Sequence, residues 1–106
     1  MQNSVVPNTE HVTYLLLDEI GSYGPIWREM SDGEANEATI IDWIAQGQFD
    51  CPLRVVAFNT EEGWSRDVTR EIAARLLDLS HQGVALGAAA RDFVVRVTGQ
   101  SATAIV

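Results

Sequence analysis

Residues 53–68, LRVVAFNTEEGWSRDV, change their hydrophobic period half-way and so decide the fold class. As far as Phe58 the run is short, almost wholly apolar and rich in β-branched residues, which predicts a buried strand. From Ser65 onward the apolar residues recur with helical spacing, at Val68, Ile72 and Leu76. A polar turn over 59–64 joins the two patterns. We therefore expect a strand that leads directly into the N-terminus of a helix.

The segments on either side complete an element order of ββαβαα. We expect strands at 11–18, 26–30 and 53–58. We expect helices at 34–46, 65–80 and 87–98, the first opened by a capping box at Ser31–Glu34 and ended by Gly47. The third helix has its apolar residues on one side, at Leu86, Ala90, Phe93, Val94 and Val97.

This order predicts an α+β fold built on a small three-stranded sheet. The strand 11–18 is apolar on both faces, like a central strand, whereas 26–30 alternates like an edge strand. If 53–58 docks beside the first strand, the sheet has the order 2-1-3, is mainly antiparallel and carries its helices on one face. The unpaired edges and the uncovered face of the sheet then need a cover, supplied by helices, a loop or a second copy of the chain. We expect one domain over 10–100 with flexible tails at 1–9 and 101–106.

Composition excludes several classes of function. The 106 residues carry a net charge of −8, which disfavours binding to the phosphates of nucleic acids. All seven basic residues are arginine, so Schiff-base and P-loop lysine chemistry are excluded. The single cysteine excludes an intrachain disulfide. With no apolar stretch of membrane length and no signal-peptide pattern, we expect a cytoplasmic protein that does not bind membranes. The chain has no cofactor motif, so we expect no cofactor.

The junction over 59–67 has two interpretations. It suits a small ligand, above all an anion, held by N–H groups of the helix start and by the side chains of Asn59, Thr60, Trp64, Ser65 and Arg66. Alternatively, Ser65 or Thr60 caps the helix and Trp64 packs against Val68 in the core. The structural interpretation is favoured, because the carboxylates of Glu61 and Glu62 already lie beside the positive helix end.

A third hypothesis is a metal-assisted enzyme at one edge of the sheet. In the expected topology, several carboxylates and an imidazole meet there, from Glu10, His11, Glu29, Asp32, Glu61 and Glu62. No spacing among them matches a known metal loop, so we assign no metal ligand. We assign no catalytic residue either, because Ser65 and His81 lie more than four helical turns apart and Cys51 has no histidine nearby.

Tryptophan is prominent in so short a chain, at Trp27, Trp43 and Trp64. Trp64 is expected in the core, whereas Trp27 and Trp43 suit a core and an interface equally well. The leading hypothesis is a non-enzymatic domain that acts through protein–protein contact, most simply as a homodimer, with another protein partner as the variant. The expected interface consists of Trp27 and Arg28 on the edge strand and Trp43 on the first helix.

The run over 54–68, with its distinctive NTEEGWSRD segment, resembles a family of short, uncharacterised bacterial proteins. The similarity extends from about Tyr14 to Val97. It implies a small standalone cytoplasmic domain and no particular activity.

Overall fold

The computed structural model describes residues 12–30 and 36–101, which form an antiparallel sheet of four strands and three α-helices. The strands are β1 (Val12–Ile20), β2 (Gly24–Met30), β3 (Pro52–Asn59) and β4 (Trp64–Asp67). The helices are α1 (Glu37–Ala45), α2 (Thr69–His81) and α3 (Ala88–Thr98). The predicted capping box at 31–34, the predicted tail 1–9 and the end of the chain from 102 onward lie outside the described residues.

The mixed α+β class is confirmed, but the expected number and order of strands are wrong. The sheet has the order β2-β1-β3-β4, because a fourth strand pairs with the outer edge of β3. All four residues of β4 are exposed and three of them are polar, so they lack the apolar alternation that marks a half-buried strand. Main-chain pairing with β3 holds this strand in place, and a side-chain pattern does not report such pairing.

Helix α2 therefore begins at Thr69 and not at Ser65 as the spacing predicted. Val68 is its N-cap residue and supplies no side-chain hydrogen bond, so the expected caps Ser65 and Thr60 are wrong. The Asp67 carboxylate lies at this helix start instead, where its Oδ1 accepts from the Thr69 N–H at 2.9 Å. Residues 64–67 thus present a strand, and the strand-to-helix junction lies four residues further along the chain.

The core lies between the three helices and one face of the sheet. In the register of β1 with β3, Leu16 is opposite Val55 and Tyr14 is opposite Ala57, which places these four side chains on the helix-covered face. The helices contribute fully buried apolar side chains at Ile40, Ile44, Ile72, Leu76, Phe93 and Val94. The expected apolar side of α3 is confirmed, with Val97 partly buried at its end.

Helix α1 buries Ile40, Ile41, Ile44 and Ala45 against the core, whereas Ala38 is exposed. Trp43 is half-buried and packs against the edge of the core. Across the two described stretches of chain, none of the helices is both long enough and apolar enough to cross a membrane.

Candidate functional site

The face of the sheet opposite the helices carries an apolar patch, which we call the open face. Successive strand residues alternate between faces, so the neighbours of the core residues in β1 and β3 point to this side. The patch consists of Leu15, Leu17, Trp27, Val56 and Phe58. Four of these side chains are half-buried by their neighbours, Trp27 is 48% exposed, and none belongs to the helix-side core. Within 12–30 and 36–101, the helices pack on the other side of the sheet.

Strand pairing makes the open face continuous. Leu17 is opposite Trp27 across β1 and β2, and Leu15 is opposite Val56 across β1 and β3. Side chains of directly opposed residues lie about 5 Å apart and touch. The five residues therefore form one apolar surface over three strands and not a set of scattered exposed residues.

Charged side chains surround the open face. Glu19 and Glu29 are exposed on the β1 and β2 side. On the other side Arg54 donates to the Asp67 carboxylate at 2.8 Å across β3 and β4. An apolar centre with a polar rim is the usual anatomy of a protein–protein interface.

Only one of the three expected interface residues lies on this surface. Trp27 is on the open face, but the next residue, Arg28, points to the opposite face. There its guanidinium donates to Asp18 Oδ2 at 3.3 Å and stacks over the Phe49 ring at 5.4 Å. Trp43 lies on α1, also on the helix side. The structure therefore does not bring Trp27, Arg28 and Trp43 together on one surface.

Asp18 is the polar residue that the sequence analysis missed. Its side chain is fully buried, where it accepts from the backbone N–H groups of Asp50 at 3.1 Å and Cys51 at 2.7 Å as well as from Arg28. The register of β1 and β3 shifts between Leu17 and Asp18. The carboxylate thus secures the loop before β3 to the central strand. The only sign of this role in the sequence was that Asp18 falls on the same face of the strand as the apolar residues Tyr14 and Leu16.

The five residues of the expected ligand site are divided by the β3–β4 hairpin. Asn59 is buried, and its Oδ1 accepts from the Glu61 and Glu62 N–H groups, both at 2.9 Å, so that it shapes the turn. Thr60 is exposed in that turn, and Ser65 points toward the open face. Trp64 is opposite Asn59 and Arg66 is opposite Ala57, so Asn59, Trp64 and Arg66 lie on the helix side of the sheet.

Trp64 is not a core residue, contrary to its prediction. Its side chain is 37% exposed, and its Nε1 donates to Glu62 Oε1 at 2.9 Å. The reason is its place on a short edge strand, where no helix covers it fully. It lines an open groove of about 560 Å³ together with Arg66, Tyr14 and the start of α1.

The groove presents aromatic side chains and is a poor site for an anion. Arg66 Nη1 already donates to Glu71 at 2.7 Å. Burial, followed by the nearby carboxylates of Glu37 and Glu71, raises the pKa of the Tyr14 phenol above its ordinary value, against the opposing effect of Arg66. Burial and the two carboxylates thus disfavour a negative charge at Tyr14.

The hypothesis of a metal site at the acidic sheet edge stays a prediction. Among the residues that the structure describes, no group of three or more histidine, cysteine or acidic side chains is placed to hold a metal ion. Glu10, His11 and Asp32, half of the expected cluster, lie outside those residues. Cys51 is half-buried with its Sγ 3.8 Å from Arg96 Nη2.

Comparisons with known protein families, with curated proteins and with solved structures find no match for this chain. The resemblance of the 54–68 run to a bacterial family therefore stays a prediction.

The contact between Asp67 and Thr69 predicts a measurable titration. Burial opposes ionisation of the Asp67 carboxyl, but hydrogen bonds from Thr69 and the charge of Arg54 outweigh it and lower the pKa below 3.8. Because this folded pKa lies below the unfolded value, ionised Asp67 stabilises the fold above about pH 3.8, and the stabilisation is lost as the pH falls through the folded pKa.

Carboxyl NMR titration checks this expectation. The Asp67 midpoint should lie below 3.8 in the native protein and rise in Thr69→Val, which removes the donor hydroxyl. Thr60→Val makes the same chemical change in the exposed turn and should leave the Asp67 midpoint where it is. A native midpoint at or above the ordinary value would contradict the assignment.

Proposed function

We propose that the protein acts through protein–protein contact and that it forms a homodimer through the open face of its sheet. The observation that carries the proposal is the continuous apolar patch of Leu15, Leu17, Trp27, Val56 and Phe58 on the side away from the helices. Burial of apolar surface is the main driving force of association, at about 25 cal/mol per Å². A second copy of the same face supplies an equally apolar cover.

The size of the open face sets the expected affinity. The four strands have 9, 7, 8 and 4 residues, so at about 3.4 Å per residue and about 4.8 Å between strands one face covers about 460 Å². Two such faces bury on the order of 900 Å² in total, a size typical of weak, reversible contacts. We therefore propose a reversible dimer with a dissociation constant in the micromolar range.

The rim supports pairing with an identical surface. It carries carboxylates at Glu19 and Glu29 and a guanidinium at Arg54. In a two-fold dimer each contact occurs twice, so a face with both signs of charge can place its acids near the arginine of its partner. The single cysteine suits action in the reducing cytoplasm, where we place the protein.

Sedimentation of matched variants tests the proposal. The native protein should pass from monomer to dimer as its concentration rises from about 1 µM to about 500 µM. Leu15→Glu introduces a charge at the centre of the open face and should weaken the dimer at least about tenfold. Val95→Glu makes a similar change at an exposed apolar residue of α3 and should leave the dimer intact.

Circular dichroism verifies that both variants are folded. Trp27→Ala, at the most exposed residue of the patch, provides a second disruption that introduces no charge. A native protein that remains monomeric throughout this range would overturn the homodimer. Equal loss of association in Leu15→Glu and Val95→Glu would remove the open face as its interface.

A further inference from the structure

A second surface borders the open face at Arg54, in a cleft of about 550 Å³ beside the first half of β3. β4 pairs only with Val56–Asn59, so the outer edge of the earlier residues of β3 faces the start of α2 and the end of α3. Three of the seven arginines of the chain line this cleft, at Arg54, Arg70 and Arg96. This concentration of positive charge occurs in a protein whose net charge is −8.

Two of these guanidinium groups are held in place by neighbouring oxygens. Arg54 Nη1 donates to Asp67 at 2.8 Å. Arg96 donates from Nε to Asp92 at 3.0 Å and from Nη2 to the Pro52 carbonyl at 2.9 Å. A guanidinium has five N–H donors, so both groups keep donors for a ligand while their positions are fixed. Fixed donors reduce the entropy lost when a ligand binds.

Arg70 is the third cation and is differently placed. It is exposed, and its side chain makes no ion pair or hydrogen bond with any other residue of 12–30 and 36–101. The two carboxylates in the cleft, Asp67 and Glu71, already accept from Arg54 and Arg66. The cleft therefore presents one guanidinium without an anionic partner, beside two others that retain donors.

We propose that this cleft binds a small phosphate monoester, with the phosphate on Arg70, Arg54 and Arg96 and the organic part against Leu53 and Val97. Planar guanidinium donors match phosphate oxygens, and the carboxylates of Asp67 and Asp92 leave Arg70 and part of the donors of Arg54 and Arg96 for a phosphate. The volume suits a small molecule. The negative charge of the whole protein opposes a nucleic-acid backbone. The N-terminus of α2 plays no part, because the Asp67 carboxylate already occupies it.

Binding of inorganic phosphate and of phenyl phosphate, followed by amide NMR at constant ionic strength, tests the proposal. Both probes should shift the signals of the cleft saturably, and phenyl phosphate should bind several-fold more tightly because its ring covers Leu53 and Val97. Arg70→Gln should weaken binding at least about tenfold, the effect of one lost charge-assisted hydrogen bond. Arg75→Gln removes the same charge from the same helix, where the side chain lies 3.6 Å from Glu37, and should bind like the native protein.

Three results would overturn the assignment. Shifts that do not saturate, or an equal loss in Arg75→Gln and Arg70→Gln, would mean a general effect of charge. Phenyl phosphate that binds no more tightly than inorganic phosphate would exclude the ester. Because Arg70 lies outside the open face, sedimentation of Arg70→Gln should match that of the native protein, so this proposal and the homodimer can fail separately.

Discussion

Asp18→Ala is expected to lower the free energy of unfolding by about 3 kcal/mol, a large share of the stability of a small domain. The substitution leaves the backbone N–H groups of Asp50 and Cys51 without their acceptor and leaves Arg28 without its carboxylate. Each buried donor that loses its partner costs about 1–3 kcal/mol. Chemical denaturation at neutral pH measures the change.

Asp18→Asn separates hydrogen bonding from charge. The amide retains one oxygen that can accept from Cys51 N–H, the shortest of the three contacts at 2.7 Å, but it loses the attraction to Arg28. We expect Asp18→Asn to be intermediate, with a loss of about 1–2 kcal/mol. If Asp18→Ala instead lowers stability by less than about 1 kcal/mol, the buried carboxylate does not secure the loop to the sheet.

Phe93→Ala is expected to cost about 3–5 kcal/mol, the largest single loss in the apolar core. The Phe93 ring is fully buried between α3 and the rest of the core. Its removal therefore loses the favourable free energy of transferring the ring from water to the core, and it leaves a cavity. Thermal and chemical unfolding at low protein concentration, where the monomer dominates, give the value.

Phe58→Ala is the matched control, because the same side chain is removed from the open face. Phe58 is half-buried and outside the core cluster, so its loss should cost about 1 kcal/mol or less in the monomer but should weaken the dimer. Equal destabilisation by the two substitutions in the monomer would mean that the chain itself covers the open face. That outcome would count directly against the proposed homodimer.

The elements with strong periodicity were predictable. The apolar side of α3 repeats at helical spacing, and the structure buries it as expected. β3 was recognisable because Val55, Val56 and their neighbours make a short run rich in β-branched residues. β2 was recognisable as an edge strand from its alternation of charged and apolar side chains. Burial on one side therefore left a period in α3 and β2, whereas β3 was marked by a continuous apolar run.

The parts that failed are those held by main-chain or long-range polar contacts. β4 is a short exposed strand that depends on its ladder with β3, so the pattern predicted a turn at Trp64 and a helix start at residues 65–67. The expected ligand site failed with it, because strand alternation separates Ser65 from Trp64 and Arg66. The buried role of Asp18 depends on residues more than thirty positions later in the chain, which no local spacing reports.

The residue pattern within each segment was therefore enough to specify an α+β domain with apolar strands and amphipathic helices, because side-chain burial imposes the periods 2 and 3.6 on the sequence. The composition was enough to specify an acidic surface. The fourth strand, the true start of α2, the separation of Trp27 from Arg28 and the arginine-lined cleft were decided by tertiary structure. These features arise from backbone pairing and from contacts between distant segments. Such contacts stabilise the fold only after the chain has brought those segments together. The residue pattern within one segment therefore does not reveal them.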